Sequence, residues 1–295
     1  MLMTMGVVSS AGRYPARQQL RINKAKELEL VRQISPTARH WPDVFVHTSG
    51  IVSDLNKTLS PIKLANEVIT LGERLRALLT DTDGQYGIVV TGRKGKRGAM
   101  CEAVVMSHGH PIIDEGGISL WSMVIMVMRS GTRFQTTCTA NLSEHALGRW
   151  HERGREMPPD IVGAALLDCA KVPHVLDWQT LSERTNEFNV PVGDVLLSGV
   201  VRNITPVAAS GGARQLIRQV SWLMDVRTVL DAASATPLQL RQSEEIARAI
   251  EPVDILGLGV VDISKRGPIT GCPVPMHRVD VLDKTYDGEV RWREW

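Results

Sequence analysis

Apolar residues recur every three or four positions in several segments of the chain, which is the spacing expected of a helix that buries one face. The clearest such segment begins at Ser60-Pro61, a pair typical of a helix start, and ends at Asp83-Gly84. Its apolar stripe consists of Leu64, Val68, Leu71, Leu75 and Leu78. The same pattern predicts helices at 16–34, after a turn at Tyr14-Pro15, and at 141–155, 159–170, 178–186 and 237–250.

Apolar and β-branched runs between glycines and polar turns predict the strands, which lie at 86–91, 100–107, 118–129, 133–139, 195–204, 216–230 and 255–263. Because the first four are consecutive and joined by short connections, they indicate an antiparallel sheet. The predicted fold class is α+β, with antiparallel sheet packed against helices. Since no linker or repeat interrupts the sequence, residues 1–295 are predicted to form a single unit. The alternative is a division into 1–139, a helix with an antiparallel sheet, and 140–295, a His/Arg helix with a second sheet.

Composition excludes few function classes. An apolar fraction of 43% and a charged fraction of 22% are typical of a folded globular protein, and a net charge of +2 means that any basic surface is local. The longest apolar run, 118–128, is too short to span a membrane, and residues 1–10 lack the features of a secretion signal. No C-x-x-C pair occurs among the four cysteines, Cys101, Cys138, Cys169 and Cys272. These features predict a cytoplasmic protein with reduced thiols and no membrane association.

The segment 141–154 has the strongest functional signal in the sequence. His145, Arg149 and Arg153 are four residues apart, so a helix places them on one face. Asn141 is predicted to cap this helix, with Glu144 completing a capping box. Arginine binds phosphate through parallel donors, and histidine titrates near neutral pH. A metal-independent ribonuclease needs an acid, a base and cations for the charge that builds on phosphorus, and this set of side chains is chemically sufficient.

The order His145-Ala146, Arg149 and Arg153-Gly154 resembles the HA-x-x-R-x-x-x-R-G helix of small toxin-like bacterial domains, which are similar to the barnase/RelE-like ribonuclease fold. The resemblance implies one or two helices packed on a four-stranded antiparallel sheet. It also implies an RNA-directed hydrolase in which these histidine and arginine positions form the active site. The resemblance covers about a dozen residues, and the connection to the following sheet is longer here than in such domains.

A structural interpretation of the same helix stays open. The histidine can pack between helices, and the two arginines can form ion pairs with nearby carboxylates. The candidate carboxylates are Glu152, Asp160 and Asp168.

Two further basic segments are candidate nucleic-acid contacts. Arg13, Arg17, Arg21 and Lys24 recur at helical spacing, which predicts a stripe that contacts phosphate. A glycine-flanked loop at 92–98 contains four more cations, Arg93, Lys94, Lys96 and Arg97. The alternatives are a solvated helix face and a charged turn that protects a sheet edge.

His108 and His110, with Asp114 nearby, would supply half of a metal site, with His174 or His277 as further ligands. A polar turn explains the same residues, and we predict neither a metal nor a cofactor. No nucleotide-binding, serine-hydrolase or H-E-x-x-H signature occurs. An aromatic content of 4% disfavours a stacking platform for single strands.

Two functions are consistent with these features. The first is a nucleic-acid-directed protein of the toxin-like, metal-independent ribonuclease kind. The second is a non-catalytic binding protein from a bacterial or mobile-element system that docks on a protein partner. The first function requires an exposed cleft around His145. The second does not, and in it the charged side chains of this helix can be buried in salt bridges.

Overall fold

The computed structural model describes residues 10–80, 87–95, 98–111, 113–128, 131–153, 158–176, 187–204 and 221–253. The α-helices in these ranges are α1 (Ser10–Ile34), α2 (Trp41–Asn56), α3 (Pro61–Thr80), α4 (Glu144–Glu152), α5 (Pro159–Lys171) and α6 (Pro237–Ile250). The strands are β1 (Gly87–Gly95), β2 (Gly98–His108), β3 (Ile118–Met128), β4 (Gly131–Leu142), β5 (Glu187–Val192), β6 (Val195–Ile204) and β7 (Ser221–Asp231). The predicted α+β fold class is confirmed.

The described strands form one sheet in the order β1-β2-β3-β4-β7-β6-β5. Neighbouring strands are antiparallel, except that β4 and β7 pair in parallel over residues 140–142 and 224–226. This short parallel pair joins an antiparallel group of four strands to an antiparallel group of three. The strands after residue 186 therefore continue the first sheet, and the described part of 140–295 does not build a second one.

Helices cover both faces of the sheet, and each face has its own core. Along β2, Val104 and Met106 contact the core of α4, α5 and α6, whereas Ala103 and Val105 contact that of α2 and α3. This alternation follows from the two-residue period of a strand. α1 contributes to both cores, since Leu20 belongs to the first and other α1 residues to the second. In the described ranges no helix is both long and apolar enough to cross a membrane.

Most predicted elements are present. α3, the four antiparallel strands β1 to β4, α5, β6 and α6 are confirmed, with shifts of a few residues at their ends. The pattern of the sequence does not predict α2 or β5. The predicted helix at 178–186, the predicted strand at 255–263 and the beginning of the strand predicted at 216–230 lie outside the described residues.

Two predicted helix starts are wrong. Tyr14 and Pro15 do not form a turn before α1 but lie inside it. The first turns of α1 pack against α4, and this packing offsets the loss of the hydrogen bond that proline cannot donate. Asn141 belongs to β4, where it pairs with Ser119 of β3, so it cannot cap a helix. Ser143 caps α4 instead, and Glu144 is the first helical residue and not the third.

Candidate nucleic-acid interface

α4 begins where β4 ends, and two side chains bind the free amides of its first turn. The hydroxyl of Ser143 accepts a hydrogen bond from the amide of Ala146 at 3.2 Å. The carboxylate of Asp114 accepts one from the amide of Glu144 at 3.3 Å and another from the amide of Gly116 at 2.9 Å. A negative charge at a helix N-terminus is favourable because the helix dipole is positive there. These contacts fix the start of α4 at the end of β4, the central strand of the sheet.

α1 packs closely against α4 at a glycine. A Cβ atom at position 12 would overlap the carbonyl oxygen of Gly148 and the Cγ atom of Glu152. Further along α1, Arg17 Nε lies 2.6 Å from Glu144 Oε1. Because the Arg17 side chain is 57% exposed, this ion pair contributes little stability, and the apolar side chains of α1 and α4 that share the first core contribute more.

Substituting Gly12→Ala is expected to lower the free energy of unfolding by about 1–3 kcal/mol, because backbone atoms must move to admit the methyl group. Urea denaturation measures this change. Gly50→Ala in α2 is the matched control, since nothing lies within 4 Å of the added Cβ. The control is expected to be neutral or stabilising by up to about 1 kcal/mol. Equal changes in the two variants would contradict the close contact between α1 and α4.

His145 is half-buried and faces two guanidinium groups. Burial lowers the pKa of His145 below 6.5, and the charges of Arg149 on α4 and Arg13 on α1 lower it further, against an opposing effect of Glu152. His145 is therefore neutral at pH 7 and can accept a proton. Two cations near a neutral imidazole form a site that favours an anion.

Both arginines of the predicted site have carboxylate partners. Arg149 Nη1 lies 2.9 Å from Glu152 Oε2, which is one of the pairings that the structural interpretation predicts. Arg153 Nε lies 2.9 Å from Asp231 Oδ2 at the end of β7, a partner that the sequence does not indicate. The structure therefore groups Arg13, and not Arg153, with the other two members of the predicted site.

The predicted basic stripe on α1 is at the surface. Arg13, Arg17 and Arg21 are exposed and lie four residues apart on the helix. In the described part of the chain, Arg17 has an ion pair, whereas none is found for Arg13 or Arg21. Lys24 donates a hydrogen bond of 3.0 Å to the carbonyl of Gly109, so it is tied to the connection between β2 and β3.

Most of the second predicted basic segment is strand and not loop. β1 and β2 pair as far as residues 95 and 98, so Arg93 and Lys94 belong to β1. The predicted loop bounds of 92–98 are therefore wrong, because strand pairing continues through Gly92 and Gly95 to Gly98. The other two cations of the segment, Lys96 and Arg97, lie outside the described residues.

The segment His108-Gly109-His110 belongs to a buried network around Glu27. The carboxylate of Glu27 links α1 to the start of α2 and to the end of β2. Glu27 Oε1 accepts hydrogen bonds from Ser107 Oγ at 2.7 Å and from the amide of Trp41 at 3.1 Å. Glu27 Oε2 accepts one from the amide of His108 at 2.7 Å and lies 3.1 Å from Nδ1 of the same residue. His40 Nδ1 lies 3.7 Å from Oε1.

His110 contacts aromatic rings and not a carboxylate. Its ring centroid lies 5.2 Å from that of His40 and 4.7 Å from that of Trp121. Asp114 accepts hydrogen bonds from the backbone amides of Gly116, before β3, and Glu144, at the start of α4. Within the described ranges, no group of three or more His, Cys, Asp or Glu side chains is placed to hold a metal ion. The described contacts of His108 and His110 are those of a buried network at the end of β2.

Protonation states in the network follow from its hydrogen bonds. Burial raises the pKa of Glu27, but hydrogen bonds from His108 and His40 outweigh burial and hold that pKa at about 2. Burial lowers the pKa of His110 to about 4, and the charge of His40 acts in the same direction. At neutral pH the network therefore contains an ionised Glu27 and a neutral His110.

Glu27 is not among the residues predicted from the sequence, although a signal for it exists. It follows Leu20 by seven residues and precedes Val31 by four, so it lies on the apolar face of α1. An acidic residue on such a face is buried at a cost unless donors surround it. This spacing indicates a buried carboxylate, but it does not indicate which histidines bind it.

Comparison with known proteins adds no further constraint. No protein-family model matches the sequence, no curated protein is significantly similar to it, and no solved structure matches it. The resemblance of 145–154 to toxin-like ribonuclease domains therefore stays a prediction.

Proposed function

We propose that this protein binds RNA through a basic surface of α1 and α4, which we call the α1–α4 surface. It consists of Arg13, Arg17, Arg21, His145 and Arg149. The observation that carries the proposal is the close packing of α1 against α4, two helices distant in sequence. It brings Arg13 near enough to His145 for its charge to lower the pKa of the imidazole, as the charge of Arg149 also does. Cations that share one exposed surface are typical of proteins that contact phosphate groups.

The distribution of charge along α1 supports this proposal. Residues 10–26 contain five basic residues and no acidic residue, although the whole chain has a net charge of only +2. The two acidic residues that follow in α1 do not neutralise the stripe, since Glu27 is buried in its own network and Glu29 is exposed beyond it. A local excess of positive charge attracts polyanions even when the net charge is small.

The proposal is tested by titrating a fluorescein-labelled single-stranded RNA with the whole protein and measuring fluorescence anisotropy. If the three arginines of α1 contact phosphates, the logarithm of the association constant should fall with the logarithm of salt concentration, with a slope of about −2. No binding at about 50 mM NaCl, the low end of the usual range, would reject RNA binding. It would leave docking on a protein partner as the function to test.

A second candidate function is metal-independent cleavage of the bound RNA. It is favoured by the lowered pKa of His145, which keeps the imidazole neutral and able to take the proton of a 2′-hydroxyl. The 2′-oxygen then attacks phosphorus, the bond to the 5′-oxygen breaks, and solvent protonates the leaving oxygen. Arg13 and Arg149 would stabilise the negative charge on the phosphoryl oxygens. The resemblance of 145–154 to toxin-like ribonucleases supports the same role.

We expect the protein to act in the cytoplasm. The cysteines in the described ranges, Cys101, Cys138 and Cys169, are buried and free. Burial raises the pKa of Cys101 to about 12 and also raises the pKa values of the other two thiols. Free thiols that remain protonated are common in a reducing compartment.

A further inference from the structure

Tyr14 is an exposed aromatic residue in the middle of the basic stripe. Its side chain is 73% exposed, whereas most large apolar side chains of α1 are buried or half-buried. It is adjacent to Arg13 and precedes Arg17 and Arg21 by three and seven residues, so its ring lies on the same side of α1 as their guanidinium groups. Tyr14 belongs to neither hydrophobic core, so packing does not explain why an aromatic residue occurs at this position.

The combination of this ring with the arginines fits one kind of nucleic acid. An aromatic ring can stack on a base only when the base is unpaired, and the faces of bases in a duplex are covered by their neighbours. Successive arginines of the stripe are about 6 Å apart along the helix axis, so they can contact successive phosphates of one strand. An adjacent guanidinium group also stabilises a stacked ring through its charge.

We propose that Tyr14 stacks on an unpaired base of a single-stranded RNA that lies along α1, with Arg13, Arg17 and Arg21 on its phosphates. This inference rests on the proposed function and specifies its substrate class. The chain has few aromatic residues, and the proposal assigns a function to this exposed one. Stacking of one base on an aromatic side chain strengthens binding by about five- to 150-fold, so one residue can distinguish a single strand from a duplex.

The test compares Tyr14→Leu, which keeps an apolar side chain without a ring, with Tyr14→Phe, which keeps the ring. Ile62→Ala is the matched control, because Ile62 is an exposed apolar residue (72%) that lies on α3, away from the stripe. Anisotropy is measured with a labelled single-stranded RNA and with the same RNA annealed to its complement. Circular dichroism checks that each variant is folded.

Tyr14→Leu is expected to weaken binding of the single strand by about tenfold and to leave duplex affinity and the salt slope unchanged. Tyr14→Phe is expected to bind within about twofold of the wild type because it keeps the stacking ring, and Ile62→Ala because it changes the surface away from the contact. If the wild type binds RNA and Tyr14→Leu binds it equally well, stacking is rejected and RNA binding stands. If the wild type binds neither form, both the stacking inference and the proposed function are rejected.

Discussion

Replacing Glu27 with alanine is expected to lower the free energy of unfolding by about 3–5 kcal/mol, the usual cost of removing one partner from a buried charged network. Ser107, His108 and the amide of Trp41 would lose an acceptor in the interior, where water cannot replace it. The carboxylate also joins α1 to β2 and to the start of α2. The variant is therefore expected to unfold at a markedly lower urea concentration than the wild type.

The pH dependence of the same variant gives an independent check. The pKa of Glu27 is about 2 in the folded protein, below its ordinary value of 4.5, so its ionised form stabilises the fold above pH 4.5. That stabilisation is lost as pH falls toward 2, and it amounts to about 3 kcal/mol. The difference in stability between wild type and Glu27→Ala should therefore shrink over this interval. Glu29→Ala, at an exposed position of the same helix, should change stability by no more than about 0.5 kcal/mol at any pH. A similar loss in both variants would refute the network.

The second large effect is expected on RNA cleavage in the presence of EDTA. If His145 is the general base, His145→Gln should reduce the cleavage rate by about 10²–10⁴-fold, while RNA affinity changes little because the arginines remain. The wild-type rate should rise with pH through a pKa below 6.5 and then level off, since burial and the charges of Arg149 and Arg13 favour the neutral imidazole. Denaturing gel electrophoresis of an end-labelled RNA measures the rate.

His47→Gln is the control for this experiment, because His47 is an exposed histidine of α2 on the other face of the sheet. It should cleave at the wild-type rate. A wild-type protein that binds RNA in EDTA but does not cut it would reject the catalytic role of His145 and leave the binding proposal intact. Cleavage that persists in a folded His145→Gln variant would place the base elsewhere.

The elements that the sequence predicts correctly are those with a regular local pattern. The apolar stripe of α3 and the apolar runs of β2 and β3 depend on neighbours within a few residues, and so the local pattern identifies them. α2 has β-branched residues, Gly50 and a proline near its start, and its core residues Phe45 and Val52 are helical because both pack against the sheet. Helix propensity alone does not predict such a segment.

Only part of the candidate site is predictable from the sequence, for a similar reason. A four-residue spacing is sufficient to place His145 and Arg149 on one face of a helix. The approach of Arg13 depends on the packing of α1 against α4, and the partner of Arg153 depends on the position of β7 beside β4. Local pattern contains no information on either contact. The hydrogen bond from the amide of His108 to the carboxylate of Glu27 joins residues 81 positions apart, so the local pattern does not predict it either.

The most direct test of the α1–α4 surface is the RNA affinity of a double variant, Arg13→Gln with Arg21→Gln, beside a charge-matched control, Lys26→Gln with Lys63→Gln. All four side chains are exposed, but Lys26 lies on the opposite side of α1 and Lys63 lies on α3. The double variant is expected to bind single-stranded RNA at least about tenfold more weakly than the wild type and with a smaller salt slope, while the control stays within about twofold. Equal losses in the two variants would mean that RNA responds only to overall charge, and the α1–α4 surface would not be its binding site.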